Sequence, residues 1–227
     1  MNRTGIEYLH YTTNPIVGCS GKGCSVRRNC WASKQAKRKK HACSACYSFV
    51  PHVHFERFDD FLSVKKPSRI GVSFMGEFYD DGIANWVRKD YYMHMLKAPQ
   101  HNFIIFTKQP QNIDLDDALP ETLSIGVSVN RKEDLWRLGA LRQVECRCRI
   151  ASFEPLYEHI DADLTEIDWI IIGAQTRPNL QPKQEWIVSL MQLARIFGAK
   201  IFLKDNLTHL LVMERITEYP ESLEASK

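Results

Sequence analysis

The chain has 227 residues, 44% of them hydrophobic and 25% charged, with a formal net charge of +3. This length buries a sizeable core, and the mild charge does not by itself imply a nucleic-acid partner. No apolar run is long enough to cross a bilayer, and the opening MNRTGIEYLHY lacks the apolar stretch of a secretory signal, so a cytoplasmic protein with no membrane partner is expected.

In chain order, the first expected element is a strand around EYLHYTT. Five of the seven cysteines then fall between Cys19 and Cys46, interleaved with the basic run KQAKRKK. CWASKQAKRKK reads as a helix opening at Cys30, in which Lys34 and Arg38 would share a face and Lys37 would lie beside Lys40. After the cysteines, the β-rich runs RIGVSFM, NFIIFTK, SIGVSV, CRIASFEPL, DWIIIGAQ and KIFLKDN recur, with helical patterns between most of them. DGIANWVRKDYYMHMLKAP places Ile83, Val87, Tyr91 and Met95 at steps of four, RKEDLWRLGALRQ reads likewise, and KQEWIVSLMQLARIFGAK stops at Gly198. Cys146 and Cys148, two apart, are expected on one face of a strand as buried structural thiols.

Strands alternating with helices imply a parallel sheet, and about seven such units predict an α/β fold that is a complete or partial (βα) barrel. Residues 1–210 read as a single barrel-like domain with a Cys-rich insertion at 19–58, and residues 211–227 as a frayed C-terminal tail.

Functional groups in parallel α/β folds gather where strands end. Those ends supply Ser73 and Glu77, Lys108, Ser128 with Asn130, Glu154, Gln175 with Arg177, and Lys204 with Asp205. Any one of them has an ordinary reading as a helix cap or loop anchor; the shared rim is the signal. Glu154, in SFEPL, stands out as a carboxylate between an apolar strand and a proline.

The cysteine segment follows the first strand, so it belongs on that rim. In a reducing compartment such a cluster indicates metal or redox chemistry and not a disulfide framework. Cys19 and Cys24 each follow a glycine, and Cys30 precedes Trp31. Three thiolates on one loop can hold three irons of a 4Fe-4S cluster and leave the fourth open. Four-thiolate zinc prefers two close pairs; Cys43 and Cys46 make one, while the upstream cysteines are four and five residues apart. Within HACSACYSFVPHVH, the thiols of Cys43 and Cys46 with His52 and His54 can instead make a small zinc site of their own, His41 being the third histidine nearby.

NPIVGC, GC, NCWA, HFERF, KKPSRIGVSFM, FTKQP, IGVSV, SFEPL, DWIIIGAQ and IFLKD, in that order, resemble the landmarks of a phage- and prophage-borne family of unknown function regarded as related to radical S-adenosylmethionine enzymes. The resemblance spans roughly residues 5–206 and maps the family's three-cysteine motif onto Cys19, Cys24 and Cys30, with SVRRN standing where the family commonly has two residues. It implies a 4Fe-4S cluster on those thiols, S-adenosylmethionine on its open iron, an external electron donor, and reductive cleavage to a 5′-deoxyadenosyl radical. It also implies cofactor contacts from Ser73, Glu77, Lys108, Ser128, Glu154, Gln175 and Arg177, with Glu154, Lys204 and Asp205 as catalytic candidates. The basic residues around the loop lead us to expect an anionic substrate, a nucleotide or a nucleobase in nucleic acid first among them. Two other classes stand beside this one: a zinc-dependent nucleic-acid-binding module, and a catalytically inactive metal-binding scaffold for a partner protein encoded nearby.

Overall fold

In the computed structural model, described for residues 1, 3–38, 43–208 and 215–224, seven strands hydrogen-bond in the order β1-β4-β5-β6-β7-β8-β11. They are β1 Tyr11–Thr13, β4 Arg69–Val72, β5 Asn102–Thr107, β6 Leu123–Ser128, β7 Arg149–Phe153, β8 Trp169–Ile172 and β11 Lys200–Leu203. β1 with β4, β4 with β5, β7 with β8 and β8 with β11 all run parallel. The order rises with the sequence and never reverses, which is the topology of a partial (βα) barrel and not of a doubly wound sheet. Two short antiparallel ribbons are added: β2 (Ile16–Val17) with β3 (His52–Val53), and β9 (Gln175–Thr176) with β10 (Asn179–Leu180).

The main strands form because they can be buried on both faces. Every residue of β6 and β8 is buried, as expected of parallel strands covered on each side. The helices are α1 Trp31–Ala36, α2 Ser44–Ser48, α3 Asn85–Met95, α4 Trp136–Arg142 and α5 Gln184–Phe197. α3 buries Val87, Tyr91 and Met95 at the predicted steps of four, while Ile83 is buried just ahead of it. α5 buries Ile187, Leu190 and Ala194 and ends on Gly198 at φ +77°, a left-handed cap that glycine adopts without steric cost.

The chain divides into two compact units, one of residues Met1–Ile125 with Glu145–Arg147, the other of Gly126–Val144 with Cys148–Glu224. The first unit holds β1 to β5 and all five clustered cysteines. The second holds β7 to β11 and is braced by a buried ion pair between Asp134 and Arg137 at 2.8 Å, where Asp134 also accepts from the backbone N–H of Asn130.

Three expectations change. Of the expected tail, residues 211–214 and 225–227 lie outside the described residues, and residues 216–219 are not frayed: Leu203 donates to Ile216 at 2.8 Å, Glu218 donates to Ile201 at 2.9 Å, and Tyr219 packs on Trp169 and Phe202. Aromatic burial and strand-edge hydrogen bonds, invisible to composition, hold this segment down. Helix α1 stops at Ala36, so Lys37 and Arg38 lie in the following turn, while Lys39, Lys40 and His41 are outside the described residues. Cys146 and Cys148 precede β7 and do not lie within it.

Candidate metal centre

β1 leads through Asn14 and Pro15 into β2, and β2 leads straight into Gly18 and Cys19. Because β2 pairs with β3, with Ile16 opposite Val53 and Val17 opposite His52, residues 18–51 form an excursion that leaves and returns at one place. Three backbone segments meet there. Gly18 donates to Met75 at 3.1 Å, its carbonyl accepts from Glu77 at 3.0 Å, and Cys19 donates to Phe49 at 3.2 Å. Gly18 has φ +86°, and a Cβ built on it would lie 2.0 Å from the Val50 carbonyl oxygen. Glycine is needed twice over, for its left-handed backbone and for the absence of a side chain.

The loop that follows carries the three upstream cysteines, none of them in a disulfide and each half-buried. Cys19 Sγ accepts from the Gly21 amide at 3.1 Å, Cys24 closes a turn onto Gly21, and Cys30 Sγ accepts from the Ser33 amide at 3.5 Å at the start of α1. Gly21 and Gly23 supply the positive φ values that fold this loop tightly. Asp80 anchors it by accepting from the Ser20 amide at 2.7 Å. Burial pushes the Cys19 thiol up to about 12, the nearby Glu77, Asp80 and Cys24 add to this, and the Gly21 amide opposes it. A bound cation reverses that balance and favours the thiolate. Three reduced thiols on one glycine-turned loop are the donor set a site-differentiated 4Fe-4S cluster takes, so the residues fit the group.

Cys43 and Cys46 do something else. Cys43 opens α2 and accepts from the Cys46 amide at 3.4 Å, which holds its thiol below the ordinary range, whereas burial raises that of Cys46. α2 ends at Phe49 in a left-handed turn, and the chain re-enters β3 with His52 and then His54. Cys46 Sγ lies 3.3 Å from His52 Nε2 and 3.2 Å from His54 Nε2, Cys43 Sγ lies 3.7 Å from His52 Nε2, and the two Nε2 atoms are 2.9 Å apart. All four donor atoms fall within 4.8 Å of one another, a group able to hold one metal ion. Burial lowers His54 and so favours its neutral, ligating form.

The strand-end residues are engaged within their own units. Ser73 is buried at φ +58°, its hydroxyl accepting from the Ile16 amide at 3.3 Å. Glu77 is buried, which raises its carboxyl; it accepts from the Thr107 hydroxyl at 2.6 Å and the Lys108 amide at 2.9 Å. In the second unit, Ser128 accepts from Arg137 at 2.6 Å through its carbonyl, and Glu154 pairs with Lys204. That pair lies over Gly173, where a Cβ would come within 2.9 Å of Glu154 Cγ. Gln175 is buried, accepts from Tyr157 and donates to the Pro178 carbonyl at 2.9 Å; Arg177 is exposed at the tip of the β9–β10 ribbon, and Asp205 is exposed after β11. The structure thus brings together Cys43, Cys46, His52 and His54, brings Cys19 near Glu77, and pairs Glu154 with Lys204. Sequence reasoning missed Asp80, Gln109, which donates to Asp80 at 3.3 Å, and Glu56, which contacts His54 Nδ1 at 2.6 Å. The last was findable, since HFE places a carboxylate two residues after a candidate ligand.

No curated protein matches the chain. Among solved structures, a mutant spore photoproduct lyase with bound AdoMet and dinucleoside spore photoproduct is similar at 13% identity and a TM-score of 0.48, over 84% of this chain and 62% of that one. This chain therefore spans about three-fifths of that protein's length. The family described as "Protein of unknown function (DUF5131)" matches residues 3–217, nearly the whole length, and the chain belongs to it.

Proposed function

We propose that the protein is a radical S-adenosylmethionine-type enzyme whose Cys19, Cys24 and Cys30 hold a 4Fe-4S cluster. One observation carries the reading: Cys43 and Cys46 converge on two histidines, which leaves three thiols on the loop after β2, the number that ligates three irons and leaves one open. When bound, the cluster would pass one electron, received from an external donor, to the sulfonium of S-adenosylmethionine, splitting it into methionine and a 5′-deoxyadenosyl radical. This chain's residues would do the rest. The Gly18 junction fixes where Cys19 stands, Asp80 holds the loop through the Ser20 amide, and the Glu154–Lys204 pair offers one charge of each sign to an amino-acid moiety or to substrate. The substrate is anionic, a nucleotide or a nucleobase in nucleic acid being the leading choice, because Arg27, Arg28, Lys34, Lys37 and Arg38 lie within or just after the loop.

Anaerobic iron and sulfide analysis, then reduction with S-adenosylmethionine and assay for 5′-deoxyadenosine, tests the chemistry. Cys19→Ala, Cys24→Ala and Cys30→Ala should each abolish cluster loading, and Cys146→Ala should not. A colourless protein that binds nucleic acid and only zinc would replace this reading with that of a zinc-dependent binding module. For the substrate, binding to DNA, RNA or nucleotides should weaken steeply with salt and with charge reversal at Lys37 and Arg38 while iron stays loaded. Salt-independent or undetectable binding to all three would point instead to a peptide or small-metabolite substrate.

A further inference from the structure

We propose that Cys43, Cys46, His52 and His54 bind one zinc ion in a closed structural site, and that this ion fastens the base of the loop bearing Cys19. Zinc holds thiolate sulfur at ~2.3 Å and imidazole nitrogen at ~2.0–2.1 Å, so at tetrahedral angles a sulfur and a nitrogen stand ~3.5 Å apart and two nitrogens ~3.3 Å apart. Three of the four sulfur–nitrogen separations, 3.2, 3.3 and 3.7 Å, bracket the first value, the 2.9 Å between the two nitrogens is slightly inside the second, and all four donors lie within 4.8 Å of one another. The four donor atoms converge to the span of one ion.

His52 Nδ1 lies 2.8 Å from the Val50 carbonyl oxygen, and His54 Nδ1 lies 2.6 Å from a Glu56 carboxylate oxygen. Both oxygens can only accept, so each Nδ1 carries the hydrogen and each Nε2 presents a lone pair to the centre. Two lone pairs 2.9 Å apart repel unless a cation lies between them. A carbonyl or carboxylate behind each histidine is also how protein zinc sites orient their ligands. With four protein donors, the site has no position for substrate, which makes it structural and not catalytic.

Phe49 and Val50 lie between the thiol pair and the histidines, and they are the residues that receive Cys19 and pack against Gly18. His54 also donates its backbone N–H to the Pro15 carbonyl at 2.7 Å, so a ligand sits on each side of the point where residues 18–51 leave and return. Two-residue strands are too short to close this excursion unaided. An ion joining α2 to β3 supplies the missing constraint.

Metal analysis of the purified chain should find one zinc per molecule, retained in Cys30→Ala and lost in Cys46→Ala and His52→Ala. Cobalt added to the zinc-stripped wild-type chain should give the visible bands of a tetrahedral site with thiolate charge transfer, a readout that needs no variant to fold. Glu56→Gln should weaken zinc about tenfold in competition with a chelator. Stripping zinc should speed tryptic cleavage after Lys22, Arg27 and Arg28. No zinc in the wild type, no tetrahedral cobalt spectrum, or unchanged proteolysis on stripping would overturn the proposal. So would loss of iron instead of zinc in Cys46→Ala. Because the zinc readouts use neither iron nor S-adenosylmethionine, this inference and the cluster reading fail separately.

Discussion

Replacing Gly18 with alanine tests whether the meeting of three backbones organises the metal loop. Two costs combine. An L-residue held at φ +86° loses about 1–2 kcal/mol. The new Cβ, 2.0 Å from the Val50 oxygen and 2.4 Å from its carbon, must also displace backbone, an overpacking cost of about 1–3 kcal/mol. The sum is about 2–5 kcal/mol, and at about 2–4 °C per kcal/mol for a chain of this size a central 3 kcal/mol lowers Tm by about 6–12 °C. Scanning calorimetry of the metal-loaded chain reads this directly. Gly139→Ala is the control: it lies in α4, an added Cβ would meet nothing within 4 Å, and it should raise stability by about 0.5–1 kcal/mol. Because Gly18 adjoins Cys19 on one side and Val50 on the other, its alanine variant should also lose metal. If Gly18→Ala melts within about 2 °C of wild type and keeps its metal, the reasoning about this junction is wrong.

Glu154→Gln keeps side-chain volume and removes the charge facing Lys204, so S-adenosylmethionine affinity or cleavage should fall while the chain stays folded, as read by circular dichroism; unchanged binding and turnover would remove Glu154 from the cofactor site. Glu218 is held below its ordinary value of 4.5 by the hydrogen-bonded Arg195 guanidinium, so the stability it contributes is full above pH 4.5 and is lost as pH falls through the lower folded value. The protection factor of the Leu203 amide, which donates to Ile216, should therefore fall on acidification in that window once each rate is divided by the intrinsic exchange rate at the same pH, and Glu218→Gln should flatten the response at a cost of about 0.5–1 kcal/mol; an identical pH profile of protection in the variant would refute the assignment.

The seven main strands were legible because each is a run of β-branched and aromatic residues flanked by polar ones, and α3 and α5 because their buried residues recur at helical spacing. Gly198 announced its cap. The ribbon of β2 and β3 was not legible, since two residues per strand contain no period, yet it is what places Cys19 beside Phe49. The two-cysteine, two-histidine group could be named from spacing alone; the carbonyl of Val50 and the carboxylate of Glu56 behind its histidines could not. The polar rim was visible as composition but not as wiring: Ser73 and Glu77 are both tied to backbone amides of their own unit, a use that residue type does not reveal.

The docking of Ile216, Thr217 and Glu218 beside β11 bears on how the molecule keeps to itself. β11 ends the strand order, and a terminal strand with unpaired amides and carbonyls invites another chain to add a strand, the first step toward fibrils. Here the Leu203 amide and the Ile201 carbonyl are already occupied by the chain's own later residues, and Arg3 forms an antiparallel bridge with Tyr11 on β1 at the other end of the order. The margins of the sheet are thus sealed by segments far apart in sequence. A chain shortened before Ile216 would keep its strands but bare the β11 margin, and it should be prone to self-association at concentrations where the full chain is monodisperse.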